Sequence, residues 1–398
     1  MKIKLVSLLL VVSIYLSFAL PTALSQGNQV TGSFSYYVTL HDEDGAAIYQ
    51  YDDTFFAQSS YHYNHKLAIM SLGLAMSAFN AKGAEDSDYA ADIAGGNVKS
   101  LLHDLGFTNI DIERYAGKPK MDGIGFALGE KQLSNNTTLI AVAIRGGGYE
   151  LEWISNFEMS GNSTDHVGFA SARDQVLQGL KQYVQSQNIQ GEVKIWITGY
   201  SRAAAVSNLL GAAITDGACA DLQGVSIQPV NVFTYTFATP NTTKCAPRDD
   251  VQYQNIFNWI HPEDIVTKVP LSEWGYARYG VDYTIPKAGS DRYNADSNDV
   301  LKTYNELSGT EVSSLSFLKL PSWSSDIITQ QLSTWLETED SKRAQRTLAA
   351  IRMGIAIGSL FDNRQLEGLV TENAKDIVVA HAPNLYLAWL ETLAPTET

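Results

Sequence analysis

The sequence predicts an α/β fold, a mostly parallel central sheet flanked by helices. Three observations carry that expectation. Strand-like and helix-like stretches alternate from about residue 120 to 260, the pattern of crossover connections between parallel strands. Val193–Thr198 reads as a buried strand running straight into a helix of small residues. The chain has 398 residues and is 45% hydrophobic, enough to bury a large core and too apolar for a disordered chain.

Taken in order, the chain after residue 25 opens with short β-like stretches. An apolar helical run then spans about Tyr63 to Phe79, and a second helix, about Asn97 to Leu105, ends at Gly106. Gly123–Leu128 and Thr138–Ile144 flank a polar Ser134-Asn135-Asn136 turn and read as a β-hairpin. A long helix from Phe169 to about Ser186 leads to the Val193–Thr198 strand and a helix from Arg202 to about Ile214. Strands at Val230–Thr239 and Gln254–Ile260 continue the alternation. Beyond Pro270 a loop rich in Asp, Tyr, Asn and Ser is expected up to about Ser313. Helical runs follow at about Asp326–Leu336 and Arg343–Phe361, then a strand-like Ile377–Ala380, His381 and a last helix through Leu390.

Lys and Arg number 28 against 43 Asp and Glu, a formal charge of −15. A field of that sign repels phosphate backbones, and the basic residues form no stripe, so nucleic acid is excluded as a partner. Lys2 and Lys4, the apolar Leu5–Leu20 and Ala23-Leu24-Ser25 read as an export signal with cleavage near Gln26, hence a secreted protein. The two cysteines, Cys219 and Cys245, are expected to form one disulfide in an oxidising compartment. No Cys-x-x-Cys, His-Glu-x-x-His or EF-hand spacing supports a metal site. Asn135, Asn136, Asn162 and Asn241 each begin an Asn-x-Ser/Thr sequon.

The chemistry concentrates at Gly199-Tyr200-Ser201-Arg202-Ala203, between a buried strand and a helix. That is the context of a nucleophile elbow, in which a strained turn presents the serine and small residues two places either side let backbones approach. Ala203 stands where a second glycine is usual. A serine hydroxyl needs a base and an orienting carboxylate, in the chain order Ser, acid, His on such a scaffold. If the acid follows the Gln254–Ile260 strand, His381 is the one histidine left downstream. Glu263 and Asp264 both occupy that place, and the residues alone leave the choice open. Asp249 and Asp250 precede the strand and would lie at its wrong edge. An oxyanion hole calls for two backbone N–H donors, one from Arg202 and one from the glycines of Arg145-Gly146-Gly147-Gly148.

These motifs resemble those of the class 3 lipases, the α/β-hydrolase family of fungal triacylglycerol lipases and their bacterial relatives. Arg145-Gly146-Gly147 is similar to the family's Arg-Gly-Thr/Ser, with glycine for the hydroxyl residue, and Glu152-Trp153-Ile154-Ser155-Asn156 to its Asp-Trp-x-x-Asn. His166-Val167-Gly168-Phe169 is similar to its His-x-Gly-Phe, and Gly199–Ala205 to its Gly-His-Ser-Leu-Gly-Gly-Ala. Asp264-Ile265-Val266-Thr267-Lys268-Val269-Pro270 resembles Asp-Ile-Val-Pro-x-x-Pro, which selects Asp264 over Glu263. His381 before Tyr386 resembles the family's late histidine. The resemblance spans about residues 120–285 and the last twenty. It implies a cofactor-free hydrolase of lipid esters with Ser201, Asp264 and His381 as reacting groups, and the amides of Gly147 and Arg202 as oxyanion donors. It also implies contact with lipid or other small ester substrates and transiently with lipid interfaces. Phospholipase and aryl (feruloyl-type) esterase chemistry use the same groups, and an idle hydrolase fold serving as a secreted binding module is the reading from another class.

The residues between Asp264 and His381 exceed what one strand-to-strand crossover needs, so 286–375 is expected to be a mainly helical insertion within a 26–398 hydrolase domain. Ile328, Leu332, Trp335 and Leu336 share one helical face, and Phe317–Trp323 is apolar. Such a face would suit a cap over the site.

Overall fold

The computed structural model describes residues 28–38, 43–119, 123–134, 136–146, 164–245, 250–268, 270, 272, 275–308 and 380–393. The export segment, Asn135, Gly147, the 152–156 motif, Asn162, the apolar run at 317–323, the helices expected at 326–336 and 343–361 and the strand expected at 377–380 lie outside the described residues, save Ala380.

Strands β1 (Gln29–Val38) and β2 (Glu43–Asp52) pair antiparallel as a hairpin. Their period of two buries Phe34, Tyr36, Ala47, Tyr49 and Tyr51 on one face and leaves Ile48 exposed on the other. Helix α1 (His65–Ser77) is capped by the Asn64 side chain, which accepts from the Leu67 N–H at 3.1 Å. It is apolar around most of its circumference because the hairpin covers one side and the sheet the other. Helix α2 (Gly96–Asp104) ends where Gly106 takes a positive φ of 85°.

Next come β3 (Thr108–Asp111), β4 (Phe126–Ser134) and β5 (Thr137–Ile144), then helix α3 (Val167–Ser186) and β6 (Gly191–Tyr200). Helix α4 (Arg202–Thr215) leads to β7 (Val225–Ser226), β8 (Val232–Phe237), β9 (Ile256–Ile260) and β10 (Val281–Thr284). Helices α5 (Asp291–Ser308) and α6 (Pro383–Thr392) complete the described chain. The main sheet runs β10-β9-β8-β6-β5-β4-β3, with β7 beside the start of β6. Pairing is parallel from β5 to β10 and antiparallel from β5 to β3, so the sheet is the mostly parallel α/β sheet expected.

Strand β6 shows how the sequence builds two layers. Val193, Ile195 and Ile197 pack with α3 and α4 on one face. Trp196 and Tyr200 join α1, the β1–β2 hairpin and α6 on the other. Buried Lys131 fastens the hairpin to the sheet's far edge: its ammonium donates to the Leu105 carbonyl at 2.7 Å, pairs with Asp53 at 2.6 Å and lies over the Tyr51 ring.

Two sequence expectations need correction. The stretch after Pro270 contains β10 and α5 rather than loop throughout. β10 is a four-residue edge strand. In α5 the apolar contact comes from widely spaced Tyr293, Val300 and Tyr304 in a polar helix, too sparse a stripe to register as amphipathic. Secondly, Cys219 and Cys245 are both free thiols. Cys219 lies near Lys181, towards the end of α3, whereas Lys244 bonds to Thr164 just before its start. Some sixteen helical residues at about 1.5 Å each separate those ends, far beyond disulfide reach. Burial pushes the Cys219 thiol up to about 11, so near neutral pH a maleimide should modify exposed Cys245 alone. Intact mass of the native protein checks this; two additions without denaturant would contradict it. Of the sequons, the Asn241 side chain is buried, donating to the Pro270 carbonyl at 2.7 Å and accepting from Arg278 at 3.0 Å. A glycan there is incompatible with this fold, whereas Asn136 is exposed.

Helix α6 sits against α1, α5 and the sheet, every residue from Pro383 to Leu390 buried. His65 ties it down: the Nε2–H donates to the Leu390 carbonyl and Nδ1 accepts the Tyr63 hydroxyl, both at 2.8 Å. Desolvation lowers the His65 pKa, so the folded state favours neutral imidazole. Its stabilisation is therefore full above about 6.5, the unfolded value, and lost as pH falls through the lowered native value. Melting temperatures of His65→Gln and the parent should accordingly differ more at pH 7.5 than at pH 5.

Candidate active site

The site assembles where β6 meets α4. Ser201 takes φ 60° and ψ −125°, a conformation non-glycine residues adopt only under strain. The turn is held from both sides: the Ser201 N–H donates to the Phe237 carbonyl at the end of β8, and its carbonyl accepts from Ala205. Gly199 permits this geometry. A Cβ there would stand 2.5 Å from the Ala203 carbonyl oxygen and 2.7 Å from the Ser207 hydroxyl. Ala203 itself, fully buried, packs with α3 and the sheet, so its extra methyl faces the core and leaves the serine unobstructed.

Asp264 follows β9 through the turn His261-Pro262-Glu263. Its N–H donates to the His261 carbonyl at 3.0 Å, and its Oδ1 accepts from the Val266 N–H at 2.9 Å. His381 stands at the entrance to α6, where Pro383 opens the helix with no N–H to satisfy. The His381 Nδ1 lies 2.8 Å from Asp264 Oδ2 and its Nε2 2.9 Å from Ser201 Oγ. All three residues are at least nine-tenths buried. The order serine, imidazole, carboxylate lets Nδ1–H be held by the carboxylate while Nε2 accepts the serine proton.

Among the described histidines, only His381 is within bonding distance of Ser201. His261 lies 3.2 Å from Glu263, His166 stacks on Phe169, His65 is committed to Leu390, and His62 and His103 are exposed. The Glu263 carboxylate turns away from the site, its second oxygen accepting the Ala288 N–H at 3.2 Å. Arg202, first residue of α4, adjoins Ser201 at the positive end of the helix. Its side chain runs back to the Gly123 carbonyl at 3.4 Å. Gly146, the last described residue of the glycine loop, lies so close to the elbow that a Cβ would meet the Phe79 ring at 2.6 Å and the Tyr200 carbonyl at 3.1 Å.

Residues 141–274 match the family model of lipase (class 3). Over that stretch the chain is similar to the class 3 lipases. The match supports a carboxylic ester hydrolase. Among solved structures it is similar to a fungal lipase–inhibitor complex studied for interfacial activation. That match is 14% identical with a TM-score of 0.41, over 57% of this chain and 83% of the other. Lipase II from Rhizopus niveus is 17% identical, TM-score 0.37, over 56% and 82%. M37 lipase is 11% identical, TM-score 0.38, over 81% and 98%.

Two residues of the candidate site escaped the sequence reading. The Tyr200 hydroxyl donates to the His381 carbonyl at 2.9 Å, and the Tyr386 hydroxyl to Asp264 Oδ2 at 2.8 Å. Their partners lie 181 and 122 residues away, and no local pattern announces such contacts.

Proposed function

We propose that the protein is an exported serine hydrolase that cleaves lipid esters, most simply acylglycerols, through an acyl-enzyme on Ser201. The observation that carries this reading is the unbroken run from Ser201 Oγ to His381 Nε2 and from His381 Nδ1 to Asp264, at 2.9 and 2.8 Å. Ser201 attacks the ester carbonyl while His381 takes its proton; the tetrahedral oxyanion collapses, and His381 returns the proton to the departing alcohol. Water then repeats the sequence on the acyl-enzyme and releases the acid. Asp264 keeps Nδ1 protonated and offsets the imidazolium charge. The amide of Arg202, at the positive end of α4, and that of Gly147 are the oxyanion donors.

The whole of 26–398 is read as one hydrolase domain with residues 286–375 inserted before His381, and residues 1–25 as its removable export signal. N-terminal sequencing of secreted material should begin near Gln26. Among the described residues no helix is long and apolar enough to cross a membrane.

A fluorophosphonate probe followed by a screen of esters tests the function. Covalent labelling of Ser201, with hydrolysis of acylglycerols exceeding that of phospholipids and feruloyl esters, is the expected result. Preference for either of the latter would reassign the substrate class. A folded protein that neither labels nor hydrolyses would overturn the reading in favour of a binding role.

A further inference from the structure

Ser201 follows directly on β6 and Asp264 comes one short turn after β9, whereas His381 comes 117 residues after Asp264, at the start of α6. Its position depends on what its neighbours hold. Tyr386, on the first turns of α6, makes the most telling contact. Its O–H donates to Asp264 Oδ2, the same oxygen that receives His381 Nδ1–H, and its oxygen accepts the His261 N–H at 3.0 Å. One phenol thus joins the helix behind the base to the turn carrying the acid. We propose that Tyr386 is a positioning residue: its hydroxyl shares the Asp264 carboxylate with His381 and sets how firmly that carboxylate holds the imidazole. The proposal rests on the hydrolase reading above.

A buried tyrosine needs a partner for its hydroxyl, but a backbone carbonyl would satisfy that need. Here the partner is the carboxylate oxygen facing the base. Burial and the Asp264 charge push the Tyr386 phenol well above the ordinary tyrosine range, so it remains a proton donor across the working pH range. A second donor on one oxygen disperses its charge; removing the phenol concentrates that charge on the imidazole and favours its protonated form. Among the described residues, the other ionisable groups near this network are Tyr200 from the elbow, within the Asp264 field, and His261 and Glu263 from the turn after β9. Tyr200 offers a contrast, since its hydroxyl holds the His381 carbonyl and leaves the carboxylate alone.

The test compares the full chain with Tyr386→Phe and Tyr200→Phe, using hydrolysis of p-nitrophenyl butyrate across pH and the rate of fluorophosphonate labelling. Tyr386→Phe should lower kcat roughly tenfold with KM nearly unchanged, the loss of one charge-assisted hydrogen bond. It should also move the acid limb of kcat/KM upward by about half a pH unit. Tyr200→Phe should lower kcat without moving that limb. If Tyr386→Phe fails to fold, 3-fluorotyrosine at position 386, a stronger donor of nearly the same shape, should move the limb the other way. A limb that stays put in both Tyr386 variants would make the residue structural and overturn the proposal. Failure of the underlying hydrolase reading would be visible separately, as Ser201→Ala cleaving the ester at the parental rate.

Discussion

Ser201→Ala is expected to lower kcat for a soluble ester by on the order of a million-fold, with His381→Ala close behind. Both remove a member of one proton-transfer unit, so the double variant should be scarcely worse than either single one. Asp264→Asn should lose on the order of ten-thousand-fold, for a different reason. A carboxylate accepts at both oxygens, Oδ2 from His381 Nδ1–H and the Tyr386 hydroxyl and Oδ1 from the Val266 N–H, whereas an amide of the same shape has one oxygen and must turn an NH2 towards one of these donors. The imidazole is then free to hold its proton on Nε2, where it blocks acceptance from serine. His261→Ala is the control. The His261 side chain pairs with Glu263 and not with Ser201, so this variant should melt earlier while retaining activity per folded molecule. Initial rates on p-nitrophenyl butyrate, normalised to folded protein by circular dichroism, check all four. Abolition by His261→Ala with His381→Ala still active would reverse the assignment of the base.

How far the site could be read in advance depended on whether its geometry is local. Gly199 to Ala203 is a strand, a turn and a helix in sequence, so the elbow declares itself in ten residues. Asp264 and Glu263 are neighbours, and composition does not separate them; the resemblance to the class 3 lipases selected Asp264. In the folded turn, successive side chains point to different partners, Asp264 to His381 and Glu263 to His261 and Ala288. Tyr200 and Tyr386 were illegible because each completes its role across more than a hundred residues. The cysteine pair misled for a related reason. An oxidising compartment favours disulfides, but it does not say that both thiols lie at the same end of α3. β10 and α5 were missed because a short edge strand and a polar helix bury too little to leave a periodic trace.

Gly199→Ala should damage both the fold and the chemistry, and more than its one methyl suggests. The new Cβ would stand 2.5 Å from a backbone carbonyl, that of Ala203, so no side-chain rotation relieves it. Either α4 shifts away from β6 or the Ser201 turn relaxes from its strained φ of 60°. Overpacking of this kind destabilises by about 1–3 kcal/mol, which lowers the melting temperature by several degrees. A displacement of the serine by about 1 Å would further reduce turnover roughly a hundredfold. Ala203→Gly, the reverse exchange two residues beyond the serine, separates the two effects. It removes a methyl packed in the α3–α4 layer and places glycine in a helix, a loss of about 1 kcal/mol or more. The Ser201 turn keeps its anchors at Phe237 and Ala205, so kcat per folded molecule should stay within about threefold of the parent, the loss falling on stability rather than on serine position. If Gly199→Ala instead melted normally and turned over normally, the tight approach of α4 to β6 would not be what holds the nucleophile in place.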